Sequence, residues 1–81
     1  MNQTQALELV KEAILEIVPD ADLTDVAPDD KFREVLELDS LDFLSLVERL
    51  AHRTGARIDE EDYPAFATLT GASEFLAEHA A

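Results

Sequence analysis

The chain has no cysteine and no tryptophan, one methionine and two glycines in 81 residues. Without thiols there is no disulfide framework, no thiolate zinc site and no cysteine nucleophile. Gly55 and Gly71 stand far apart, so no glycine-rich loop can cradle a phosphate. Positive charge is also scarce: six Lys and Arg face nineteen Asp and Glu, for a formal charge of −13. Such a chain repels phosphate backbones and anionic bilayers, which argues against nucleic acid as a partner. No eighteen apolar residues run together, so no membrane insertion is expected. Met1 to Val18 interleaves Glu8, Lys11, Glu12 and Glu16 with apolar residues and does not read as a secretory leader. A cytoplasmic address is the default expectation.

The length fits one domain, residues 1–81, expected to be a monomer. A domain of this size buries only about 60% of its unfolded surface, so loops and helix caps matter as much as packing.

What the chain does have is helical periodicity. Leu7, Val10, Ile14, Ile17 and Val18 recur at helical spacing, with Ala6 and Ala13 as helix formers beside them. Asn2 or Thr4 can cap this first helix, and Pro19 ends it. Residues 20–38 have the composition of a loop, with Pro28 and five aspartates between Asp20 and Asp30. Phe32 and Leu36, four apart, with Leu23 and Val26 upstream, predict a short helical turn that pins this loop to the core.

A second helix opens at Asp39, whose carboxylate can cap the first turn while Asp42 completes a box-like cap. Phe43, Leu46, Val47 and Leu50 form its inward stripe, and Gly55 suits a left-handed cap at its end. Leu41 and Leu44 fall outside the stripe and are expected to be exposed. Pro64 limits a third helix to a short piece after the acidic turn Asp59–Asp62. Thr68 caps a last helix that buries Leu69, Ala72, Phe75 and Leu76 and runs to about His79.

The residues needed for catalysis are missing. There is no Ser-His-Asp set in plausible loops and no metal constellation, while His52 and His79 belong to different helices and read as surface residues. Ser40 differs in position, because it sits in the first turn of the second helix, at the positive end of the dipole, behind a long loop. Position alone is also satisfied by an ordinary helix-start serine.

The string Asp39-Ser40-Leu41-Asp42 resembles the attachment motif of the acyl carrier protein family. Leu36-Glu37-Leu38 before it, Phe43-Leu44-Ser45-Leu46-Val47-Glu48 after it, Gly55 at the helix end and the order of segments extend the resemblance over nearly the whole chain. It implies an all-α four-helix bundle of acyl-carrier type, with three longer helices, a short third helix and a long loop between the first two. It also implies that the protein is a carrier and not an enzyme, with no metal site. A phosphopantetheinyl transferase would attach 4'-phosphopantetheine from coenzyme A to Ser40, beside Asp39. Acyl groups would then ride as thioesters between acyl-loading, condensing or acyl-transfer enzymes of fatty acid, lipid or polyketide biosynthesis. By the same resemblance Leu41, Asp42, Leu44 and Glu48 face partners. Phe43, Leu46, Val47, Leu50, Ile58 and Phe66 are candidates to line an acyl cavity, each equally readable as core.

Three departures stand out. Glu37 occupies a place where many members have glycine, so a left-handed backbone there is expected to be strained or unused. The second helix carries Arg49, His52 and Arg53 where fatty-acid-type members tend to be acidic, and Glu48 stands at an often apolar place. The departures in the second helix suggest a docking surface of different charge pattern, and the concentration of negative charge in Asp20–Asp30 and Asp59–Asp62 points to a dedicated partner set. Peptidyl, aryl and D-alanyl carriers share the architecture, and a helical interaction module that needs no modified serine is the further alternative.

Overall fold

In the computed structural model, which describes residues 1–80, the regular elements are helices. Among the described residues the nearest thing to a sheet is one isolated antiparallel bridge between Lys31 and Thr68. Helix α1 spans Gln3–Ile17. Asn2, not Thr4, caps it: Gln5 donates its N–H to Asn2 Oδ1 at 2.8 Å, and Asn2 donates back to Gln5 Oε1 at 3.1 Å. The buried stripe of α1 is Ala6, Val10, Ala13 and Ile14, while Leu7, Ile17 and Val18 are half-buried. The two alanines are thus more than helix formers. Both are fully buried, and their small size suits a helix lying against two others, since α1 packs on both α4 and α3.

The long connection is built, as expected, around buried apolar residues. A 3-10 turn, Leu23–Asp25, is capped by Asp22. The Thr24 hydroxyl and backbone N–H both donate to the Asp22 carboxylate and hold its pKa below the ordinary aspartate value. Helix α2, Phe32–Val35, is the predicted short turn, and its Phe32 is fully buried. Pro28 anchors the middle of the connection, its carbonyl accepting from Thr70 N–H at 3.0 Å.

Helix α3 spans Ser40–Thr54 and ends on Gly55 at φ 72°, a left-handed turn that glycine adopts without strain. Phe43, Leu46, Val47 and Leu50 are buried as the stripe predicts, and Thr54 joins them. The Thr54 hydroxyl is satisfied within the helix end, donating to the Leu50 carbonyl at 2.7 Å and accepting from Ala56 N–H at 3.1 Å. The short third helix is a 3-10 helix, Glu60–Ala67, with Pro64 inside it; it starts earlier than expected and takes in Glu60, Glu61 and Asp62 of the acidic turn, because Asp59 caps it and donates its N–H to the Asp62 carboxylate at 3.0 Å. Helix α4, Leu69–His79, is capped by Thr68, which accepts from Gly71 N–H at 2.9 Å. It buries Leu69, Ala72 and Leu76 as predicted, together with Ser73, while Phe75 is half-buried against Phe66. The architecture is therefore the expected all-α four-helix bundle, three longer helices and one short, with an extra turn, α2, in the long connection.

The basic residues of α3 take on a structural task. Arg53 reaches Glu16 at 2.7 Å and Glu12 at 3.6 Å, and Arg49 reaches Glu16 at 3.0 Å, so both arginines strap α3 to α1. Their charge is matched within the molecule, which weakens the expectation that they set the charge of a docking face. Among the described residues no helix is long and apolar enough to cross a membrane.

Candidate functional site

Ser40 is placed by a chain of local constraints that begins at α2. Glu37 takes φ 55°, so of the two alternatives its sequence allows, a strained left-handed turn or an unused one, the strained turn is present. Around it, Leu38 N–H donates to Arg33 O at 2.9 Å and Glu37 N–H donates to Glu34 O at 3.3 Å. These are the two bonds of a Schellman motif, with Glu37 where glycine is customary and Leu38 as the apolar residue that follows. The turn needs the left-handed conformation to close, and a non-glycine residue there costs about 1 kcal/mol. Burial of Leu38 helps to hold the turn in place. Two residues on, α3 begins.

Asp39 is extended and caps α3, accepting from Asp42 N–H at 2.8 Å, while Asp42 accepts from Asp39 N–H at 3.4 Å. Both carboxylates beside Ser40 are thus occupied in the cap. Ser40, the first residue of the helix, is exposed. Leu41 is 77% exposed and Leu44 39%, as their positions off the stripe predict. Glu48 is exposed further along the same helix, and Asp42 is half-buried in the cap.

Arg33 is the residue that sequence reasoning missed. Its guanidinium lies over the Phe43 ring, 4.7 Å from the centroid, and Nη2 donates to Ser40 Oγ at 3.4 Å. No local pattern announced it, since α2 and α3 are separated by the Glu37 turn that brings the two side chains together.

A groove opens beside Ser40, between the start of α3 and the 3-10 helix. Its apolar lining includes Leu38, Phe43, Leu44, Tyr63, Pro64 and Ala67, and Lys31, Arg33, Glu34 and Glu60 supply charged groups. Tyr63 meets Phe43 edge to face with ring centroids 5.4 Å apart. Of the six residues considered for an acyl cavity, Phe43 lines this groove. Leu46, Val47, Leu50 and Phe66 are buried in the core, and Ile58 is half-buried against it.

The chemistry this arrangement can perform alone is limited. Among the described residues, the hydrogen bond found for the Ser40 hydroxyl is the one it accepts from Arg33, and no histidine pairs with it. His52 and His79 are exposed, the latter stacked on Phe75, and no group of three or more potential metal ligands forms among the described residues. A serine without a base is not poised to attack. It is, however, open to a base brought by another protein, and it has a cation beside it and the amino-terminal end of a helix beneath it. An exposed hydroxyl with that electrostatic setting and an adjacent apolar groove fits a phosphate-linked arm.

Comparison with known proteins agrees with this geometry. Residues 8–76 match a family model described as "Phosphopantetheine attachment site". The chain is 35% identical over 75 residues to a protein named acyl carrier protein from Rubrobacter xylanophilus, covering 89% of this chain and 93% of that one. It is 34% identical over 79 residues to polyketide-8 synthase acyl carrier protein 2 from Streptomyces avermitilis, covering 94% and 91% respectively.

Proposed function

The chain belongs to the phosphopantetheine-attachment family, as a carrier protein of the acyl type and not an enzyme, and from that premise we propose that Ser40 is the residue that carries the prosthetic arm. The observation that carries this reading is the exposed Ser40 hydroxyl at the first position of α3, behind a capping pair that leaves it free. When bound, phosphopantetheine supplies a terminal thiol, on which acyl groups travel as thioesters. The chain itself contributes position and charge. Ser40 Oγ would give its proton to a base of the phosphopantetheinyl transferase and form a bond to the phosphorus that carries the arm, while the diphosphate P–O bond of coenzyme A breaks and adenosine 3',5'-bisphosphate leaves. Asp39 and Asp42 keep the helix start ordered during that exchange.

Acyl-loading, condensing and acyl-transfer enzymes would then meet the carrier on the face made by exposed Leu41, Leu44 and Glu48, with Asp42 beside them. Cargo belongs to fatty acid, lipid or polyketide synthesis. The polyketide setting is favoured by one relative's name. Phe43 at the groove is the best placed of the six apolar candidates to touch an acyl chain, and the five others would have to part from their neighbours to do so. A single domain working as a monomer in the cytoplasm completes the proposal.

The test is intact-mass spectrometry after incubation with coenzyme A, magnesium and a broad-specificity phosphopantetheinyl transferase, followed by peptide mapping. One phosphopantetheinyl group on Ser40, and none on Ser40→Ala, is the expected result. No addition from several active transferases would leave an unmodified helical interaction module as the better reading.

A further inference from the structure

We propose that Arg33 is the built-in counter-ion of the phosphodiester on Ser40, holding the first charged group of the arm against the mouth of the groove. The inference rests on Ser40 being the attachment residue. Modification puts a permanent negative charge on a molecule already at −13, at a point flanked by Asp39 and Asp42 and near Glu34. A cation beside the phosphodiester would ease the repulsion from these carboxylates, and the arginines differ in their freedom to supply it. The chain has four arginines. Arg49 and Arg53 are bridged to Glu12 and Glu16, and Arg57 to Asp59 at 3.2 Å. Arg33 is the one for which no carboxylate partner is found among the described residues, and it is the one beside Ser40.

Its placement is prepared in two ways. The Schellman turn at Glu37 folds α2 back toward the start of α3. The Phe43 ring then holds the guanidinium by a cation–π contact at 4.7 Å, which limits the rotamers it samples before the arm arrives. Nη2 already reaches Oγ at 3.4 Å, a long bond to a neutral oxygen. An anionic oxygen on the phosphorus joined to that Oγ is a much better acceptor for a guanidinium, whose planar fork suits phosphate. Lys31 also lines the groove and adds positive charge on the same side without that fork.

The experiment compares apo and fully loaded forms of the wild type, Arg33→Gln and Arg33→Lys, with loading driven to completion and confirmed at Ser40 by mass and peptide mapping. Two quantities are read: the phosphorus-31 resonance of the loaded forms and the difference in melting temperature between loaded and apo forms. Loading should leave the wild type as stable as before or more so. It should lower the melting temperature of Arg33→Gln by about 4 °C relative to its own apo form, the size of a lost exposed charge pair in a domain of this length. The phosphorus resonance should move in Arg33→Gln, and Arg33→Lys should fall between the two. A purely structural arginine would instead change apo and loaded stabilities equally and leave the resonance where it was. That outcome, with the group on Ser40, would overturn the role of Arg33 alone. A wild-type group found on another residue, or on none, would overturn the attachment reading and this inference with it.

Discussion

Glu37 shows how a residue choice and a backbone demand can conflict. Its φ of 55° is imposed by the turn that joins α2 to α3, and every side chain except glycine pays steric strain there. Glu37→Gly is therefore expected to raise stability by a few tenths of a kcal/mol, at most about 0.6 kcal/mol, after allowing for the extra freedom glycine gives the unfolded chain. Chemical denaturation measures this directly, and a loss of stability would mean that the turn does not hold its left-handed form in solution. From sequence, a glutamate where glycine is customary leaves two expectations open, a strained left-handed turn or one that is unused, and the strained one is found. Sequence alone could not reveal that two backbone hydrogen bonds and the burial of Leu38 outweigh the strain. The same blind spot concealed Arg33, whose importance depends on the turn.

Among the elements, caps and stripes were the most legible. Asp39 with Asp42, Thr68, Gly55 and the stripe of α3 all follow from local rules, because the chemistry that decides them lies within four residues. What tertiary contact decides was less legible: Ala6 and Ala13 became interface residues, and Arg49 and Arg53 became straps. Gly71 in the first turn of α4 belongs with these. A methyl group there would collide with the Ala65 carbonyl oxygen and crowd Thr68 Oγ1 at 3.2 Å. Gly71→Ala, a change that favours a helix in isolation, is expected here to destabilise by about 2 kcal/mol, as an overpacked site does. Thermal melting of the variant checks it. An unchanged or higher melting temperature would show that the 3-10 helix slides away from α4 without penalty.

At the scale of the whole molecule, the surplus of acidic groups opposes folding. The ion pairs between α1 and α3 are half-exposed and should contribute at most about 1 kcal/mol together, less as salt increases. Repulsion among the remaining carboxylates is screened by the same salt. Going from about 0.02 M to about 0.2 M shortens the screening length roughly threefold. With a net charge of −13, relief of repulsion should win, and the melting temperature should rise with added sodium chloride. A fall would give the straps a larger share of the stability than their exposure suggests.

The bond between Thr70 and Pro28 lets the motion of the loop be timed. Thr70 lies in the first turn of α4, where backbone N–H groups ordinarily lack a partner and exchange with deuterium quickly. Here that N–H donates across to the Pro28 carbonyl at 3.0 Å. Its exchange is expected to be slow, and its rate should report how often the long connection lifts from the last helix. The connection also leads into α2 and Arg33, so lifting it would loosen the guanidinium beside Ser40. The deuteration rate of a single amide, remote in sequence from the modified serine, should then serve as a clock for the opening of the site.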